Sequence, residues 1–148
     1  MPEASIQFRA GAGVERLRAL LADPTFVASQ IPQVIAVERT SATTARWTVE
    51  IKLGPMHRTS VYEGELVEQS VSGVRFRAKG PESTIEGYLA FAPESPDATL
   101  VSLTLTLKGQ GPLRAIVDAY LAKRVKDDAA QFARALSEHL TPPSTASP

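Results

Sequence analysis

The 148-residue chain contains no cysteine. That absence removes disulfide bridges, thiol nucleophiles and thiolate metal sites together, and it is compatible with a cytoplasmic location. Histidine is scarce as well. The two present, His57 and His139, have no second metal ligand at a usable spacing, so no bound metal is expected. There is no excess of charge of either sign, with sixteen Lys and Arg against sixteen Asp and Glu. No overall field gathers phosphate backbones, and nucleic acid is not an expected partner. Nowhere do about 18 apolar residues follow one another, and the opening "MPEASIQFRAG" has no basic segment leading into an apolar run. Neither a spanning helix nor a secretory leader is expected. A nucleophile elbow, a phosphate-binding glycine loop and a dinucleotide fingerprint are all missing. "GQGP", Gly109 to Pro112, lacks the lysine and third glycine of such sites and reads as a tight turn with a proline opening a helix. No cofactor is expected.

What is present is the make-up of one globular domain. Hydrophobic residues are 43% and charged residues 22% of the chain, and a domain of this size buries roughly 70% of the surface its unfolded chain exposes. Residues 1–140 are expected to form that domain. The closing "TPPSTASP", Thr141 to Pro148, holds three prolines among small polar residues and is expected to be a disordered tail.

Hydrophobic period divides the domain. "SIQFRAG" alternates as a strand, and then Val14, Leu17, Leu20 and Leu21 recur at helical spacing. Asp23-Pro24 restarts the chain: Asp23 is placed to cap a second short helix with Pro24 at its first position, and Pro32 to end it. That helix is expected to carry Phe26, Val27 and Ile31 inward. From Val34 to Lys108 the period is two. "VIAVERT", "RWTVEIKL", "HRTSVYEGELVEQ", "GVRFRAKG", "STIEGYLAF" and "TLVSLTLTLKG" follow as strands, with a turn at Gly54-Pro55, a bulge or bend expected at Gly64, and "PESPDA" as the last turn. Short connections imply antiparallel pairing. A final helix then runs from Leu113 to Leu140, its stripe containing Ile116, Val117, Tyr120, Leu121, Val125, Ala129, Phe132, Ala133 and Leu136. The expected class is α+β: about seven strands in one curved antiparallel sheet, in the order β-α-α-β6-α, wrapped around a long C-terminal helix.

That order resembles the START-like or SRPBCC superfamily, also called Bet v 1-like or helix-grip. Three stretches narrow the resemblance. "VERLRALLADPTFVASQIPQV", "VEIKLGPMHRTSVYEGEL" and "LKGQGPLRAIVDAYLAKRVKDDAAQFARAL" are similar to the G-type accessory proteins of carbon monoxide dehydrogenase, in which a glycine more often stands at the place of Gln33. The resemblance implies a cavity between sheet and helix, and an accessory role beside a molybdenum-type oxidoreductase. It also implies transient contact with that complex or with a membrane; some of these accessory proteins extend into a membrane-associating segment, whereas this sequence stops soon after the last helix in "TPPSTASP", so stable membrane attachment is not expected.

The residues themselves suggest a pocket for a small hydrophobic molecule such as a lipid, isoprenoid or quinone, held without catalysis. Phe26, Ile31, Trp47, Tyr62, Phe76, Tyr88, Leu89, Phe91, Leu105, Ile116, Val117 and Tyr120 are the candidate wall. An alternative is an enzyme of the polyketide cyclase or dehydratase sort, which requires Tyr62, Glu86, Tyr88 or His57 to converge inside. A third reading is a ligand-free protein-interaction module. Arg75, Arg77 and Lys79 read as a solvated outer face, with Glu68, Glu82 and Glu86 as cross-strand partners.

Overall fold

In a computed structural model of the chain, residues 3–31, 33–53, 55–81, 83–112 and 114–140 are described. Met1, Pro2, Pro32, Gly54, Glu82, Leu113 and the segment 141–148 lie outside these residues, as do the side chains of Ile51, Leu53, Met56, His139 and Leu140.

Strand β1 (Glu3–Ala10) leads to α1 (Val14–Leu21) and α2 (Pro24–Ser29). The strands β2 (Val34–Arg39), β3 (Thr44–Leu53), β4 (Met56–Ser70), β5 (Gly73–Lys79), β6 (Ser83–Ser95) and β7 (Ala98–Gly109) follow, and α3 (Arg114–Leu140) closes the chain. All pairings are antiparallel, in one seven-stranded sheet ordered β1-β7-β6-β5-β4-β3-β2. The expected helix-grip order is thus observed, with β1 joining the meander beside β7.

Each corner has a local cause. Asp23 accepts from the Thr25 backbone N–H at 2.9 Å and from its hydroxyl at 2.7 Å, and Pro24 occupies the first helical turn, as expected. The helix ends at Ser29, before Ile31, whose backbone N–H donates to Ala28 at 3.1 Å. Gly111 has φ of 78°, a left-handed conformation open to glycine, and it turns the chain into α3. Asp118 then ties helix to sheet by accepting the Gly109 backbone N–H at 2.6 Å.

Three details correct the expectations. The bulge in β4 lies between Leu66 and Glu68, while Gly64 pairs regularly with Ala45 and Ala78. Strands β6 and β7 also run into "PESPDA", so that only Pro96 and Asp97 connect them. In α3 the buried stripe is Val117, Leu121, Val125, Asp128, Ala129, Phe132, Ala133 and Leu136. Ile116 is 58% exposed, one position off that stripe.

The layers meet on the concave face. Helix α3 lies across β1 and β7, whereas α2 covers β2, β3 and β4, and α1 touches α2 and β5. Between them Phe132 of α3 stacks on Phe76 of β5, with centroids 5.8 Å apart and planes 14° apart. Trp47 of β3 lies tilted beside Phe76 at 6.3 Å. These rings fit because small residues lie beneath them. A Cβ at Gly87 would overlap the Phe76 ring, and one at Gly64 would overlap the Trp47 indole at Nε1. Gly64 is therefore a packing requirement rather than a bend. Since Phe132 holds Phe76 from the other side, Gly87→Ala should destabilise the fold by about 1–3 kcal/mol. Its urea midpoint should fall accordingly, and an unchanged midpoint would contradict this packing.

Candidate ligand site and its polar rim

The concave face supplies an apolar wall. Of the candidate residues, Ile31, Trp47, Tyr62, Phe76, Leu89, Phe91, Leu105 and Val117 are buried, and Phe26 and Tyr120 are half-buried against the core. Two candidates are placed elsewhere. Tyr88 lies on the convex face, because strand alternation puts it opposite Leu89, and the Arg75 guanidinium sits 4.5 Å from its ring centroid. Ile116 points to solvent for the helical-phase reason given above. Under α2, Pro24, Val27, Trp47, Leu66 and Phe76 border a seam too narrow to admit a water molecule.

The groups required by an enclosed acid–base site do not converge. Glu86 is on the convex face, 3.8 Å from Arg77, and His57 is exposed, 3.9 Å from Glu50. Tyr62 alone of the four faces inward, and its hydroxyl is 2.6 Å from that of buried Ser83. Glu63 and Glu65 are exposed on the convex face. There Arg75 pairs with Glu68 at 3.7 Å, which matches the expected cross-strand pairing. Such exposed pairs contribute little to stability. Among the described residues no cluster of three or more His, Asp or Glu is arranged to hold a metal ion.

One buried group lies outside the sequence expectations. Asp128, on the inner stripe of α3, has a side chain only 1% exposed. Its Oδ2 accepts from the amide of Gln33, the residue before β2, and its Oδ1 has no hydrogen-bond partner. The nearest cation is Arg124 one turn back, with Nη2 3.8 Å from Oδ1. Burial holds the Asp128 carboxyl above the ordinary carboxylate range, against the opposing pull of Gln33 and Arg124 and with a small upward push from Asp127. Beside it Gln33, Ile35, Glu50, Lys52, Tyr120 and Arg124 line a recess of about 160 Å³ between the edge of β3 and α3. The Arg124 guanidinium there lies 5.6 Å from the Tyr120 ring centroid. Two other buried polar atoms have no hydrogen-bond partner: Trp47 Nε1, which belongs to the aromatic cluster itself, and Arg18 Nε on α1. The spacing Val125, Asp128, Phe132 is the signal in the sequence for Asp128, since three and four residues separate it from two inward positions.

Residues 1–141 match the family described as polyketide cyclase / dehydrase and lipid transport. The chain belongs to this family. Compared with curated protein sequences, it matches none. Among solved structures it is similar to a conserved protein from Geobacillus kaustophilus, with TM-score 0.73 and 15% identity over 93% of this chain and 94% of that one. A START superfamily protein from Mycobacterium smegmatis aligns with TM-score 0.64 and 16% identity over 94% and 99%. The Zhui aromatase/cyclase from a Streptomyces species aligns with TM-score 0.55 and 14% identity over 90% and 92%. At such identities these likenesses establish the fold, which is the START or Bet v 1-like helix-grip. The family description spans both enzymes and lipid transport, and the narrower resemblance to carbon monoxide dehydrogenase accessory proteins is not reached by any of these matches.

Because the Asp128 proton is held more tightly in the folded than in the unfolded chain, its contribution to stability is fully present below about pH 4. That contribution is lost as pH rises through the raised folded value. Asp128→Asn should therefore melt close to the wild type at about pH 4 and above it at pH 7. Thermal scans across that interval check the sign, and a variant that gains nothing as pH rises would contradict it.

Proposed function

We propose that the chain is a non-enzymatic binder and carrier of a small hydrophobic molecule, such as a lipid, isoprenoid or quinone, between the concave sheet and α3. The observation that carries this reading is an apolar inner face whose helical stripe contains one carboxyl, Asp128, with Oδ1 buried and without a hydrogen-bond partner among the described residues. Buried polar atoms in a closed core are nearly always satisfied, and leaving one unpaired costs about 1–3 kcal/mol. A bound amphiphile accounts for both features. Its chain meets the aliphatic and aromatic wall, and its polar end meets Asp128 Oδ1. About 300 Å² of ligand apolar surface removed from water would contribute roughly 7 kcal/mol before the ligand is ordered.

The seam beneath α2 is the route of admission in this proposal. Helix α2 has only six residues and is held by buried Pro24, Val27 and Ala28 together with the Asp23 cap. Short elements of this kind open at lower free energy than a seven-stranded sheet. The outward placement of Glu86, Tyr88 and His57 favours carriage over the cyclase alternative. The stretches similar to the carbon monoxide dehydrogenase accessory proteins extend the proposal to delivery of the molecule to a molybdenum-type oxidoreductase, at the complex itself or at a membrane. Among the described residues no helix is long and apolar enough to cross a membrane.

Native mass spectrometry of protein purified from its own host should show a retained apolar mass. Trp47 is the only tryptophan, so its emission should shift when a long-chain probe such as 1-dodecanol is added to the delipidated protein. A ligand-free spectrum together with unchanged emission would overturn the carrier reading.

A further inference from the structure

The polar rim narrows the class of ligand, an inference that rests on the carrier reading above. Asp128 occupies an inward position of α3 where its stripe neighbours Val125 and Phe132 are apolar. A link to Gln33 uses only one of its oxygens. The other is buried, without a hydrogen bond, and 3.8 Å from Arg124 Nη2, beyond direct hydrogen-bonding distance. Gln33 and Arg124 both touch Asp128 and both line the recess of about 160 Å³. Asp128 does not itself line the recess, so a head group there reaches Oδ1 as the half-exposed Arg124 side chain shifts aside.

Charge decides which head group this arrangement accepts. Acid and base are balanced here, Glu50 with Lys52 in the lining and Asp128 with Arg124 beside it, so a charged head group of either sign meets repulsion as well as attraction and is desolvated without a net Coulomb gain. Glu50 and Lys52 already lie 3.9 Å apart. A neutral hydroxyl meets neither penalty. It can donate its proton to Asp128 Oδ1 while its oxygen accepts from the Arg124 guanidinium, which completes both groups with one atom.

We propose that Asp128 and Arg124, with Gln33 holding the carboxyl, form a head-group site for a neutral amphiphile bearing a terminal hydroxyl. The apolar chain of that molecule runs from the rim onto the wall of Phe132, Phe76 and Trp47.

The test measures binding of 1-dodecanol, 1-fluorododecane and dodecanoate to the delipidated full-length protein, read by Trp47 emission. Fluorine is close to hydroxyl in size but donates no hydrogen bond. In the wild type, 1-dodecanol should bind at least about tenfold more tightly than either of the others, as expected where a buried acceptor is left unpaired. Asp128→Leu should reduce the alcohol-to-fluoride ratio to about threefold or less while leaving 1-fluorododecane bound. Arg124→Met alters a side chain that is 44% exposed, so it tests the same point without disturbing the core. It should lower the affinity for the alcohol severalfold and leave that for the fluoride unchanged. Equal affinities in the wild type, or an alcohol preference that survives both substitutions, would overturn the head-group site while the carrier reading stands. Failure of all three probes to bind the wild type would overturn both.

Discussion

The contact of Phe132 with Phe76 is the constraint on which the rest of the molecule depends. A long amphipathic helix has one apolar stripe, and a curved sheet has one apolar face, so each must be covered by the other. The stack joins them at the centre, with planes 14° apart. It is possible because Gly87 leaves the sheet floor open beneath the Phe76 ring, and because Gly64 does the same beneath Trp47. With α3 pinned over β1 and β7, the opposite half of the sheet is left to the short α1–α2 pair. The cover is unequal, one long helix over one half and two short ones over the other, and the seam and the polar rim lie toward the half with the short pair.

Polar groups are distributed with the same asymmetry. On the convex face charges alternate in sign and meet as solvated ion pairs, such as Arg75 with Glu68 and Arg77 with Glu86, which have little consequence for stability. On the concave side polar groups are few and buried, so each has a large effect. Tyr62 and Ser83 satisfy one another. Asp128 is only half satisfied, and it lies where α3 faces the corner between α2 and β2. A carboxyl at that position is poorly explained by stability, since a leucine there would continue the stripe. In the proposed function it serves recognition of a bound molecule.

Much of the architecture is legible in the sequence because sheet and helix periods differ. Alternation through "GVRFRAKG" and "TLVSLTLTLKG" separates inner from outer residues correctly, and Asp23-Pro24 marks a helix start that the structure realises with two hydrogen bonds to Asp23. Misplacements arise where period is silent. Gly64 reads as a bend, because a glycine that clears space for a distant ring looks the same in sequence as one that breaks a strand. Ile116 is apolar but one position off the stripe, and only packing fixes the phase of a helix end. Tyr88 has a ring suited to a cavity wall, although its alternation points outward. Asp128 escapes a reading by residue type because an acidic residue in a long helix ordinarily faces water. Its partner Gln33 stands out only as a departure from glycine, and the pairing spans 95 positions, so no local pattern encodes it.

The central claim is that the space between the sheet and α3 receives a hydrophobic molecule. Intermolecular nuclear Overhauser contacts between a bound long-chain alcohol and assigned side chains test it most directly. The account predicts contacts from the alkyl chain to Trp47, Phe76 and Phe132. Contacts confined to convex-face residues such as Tyr88, or none at saturating ligand, would contradict it.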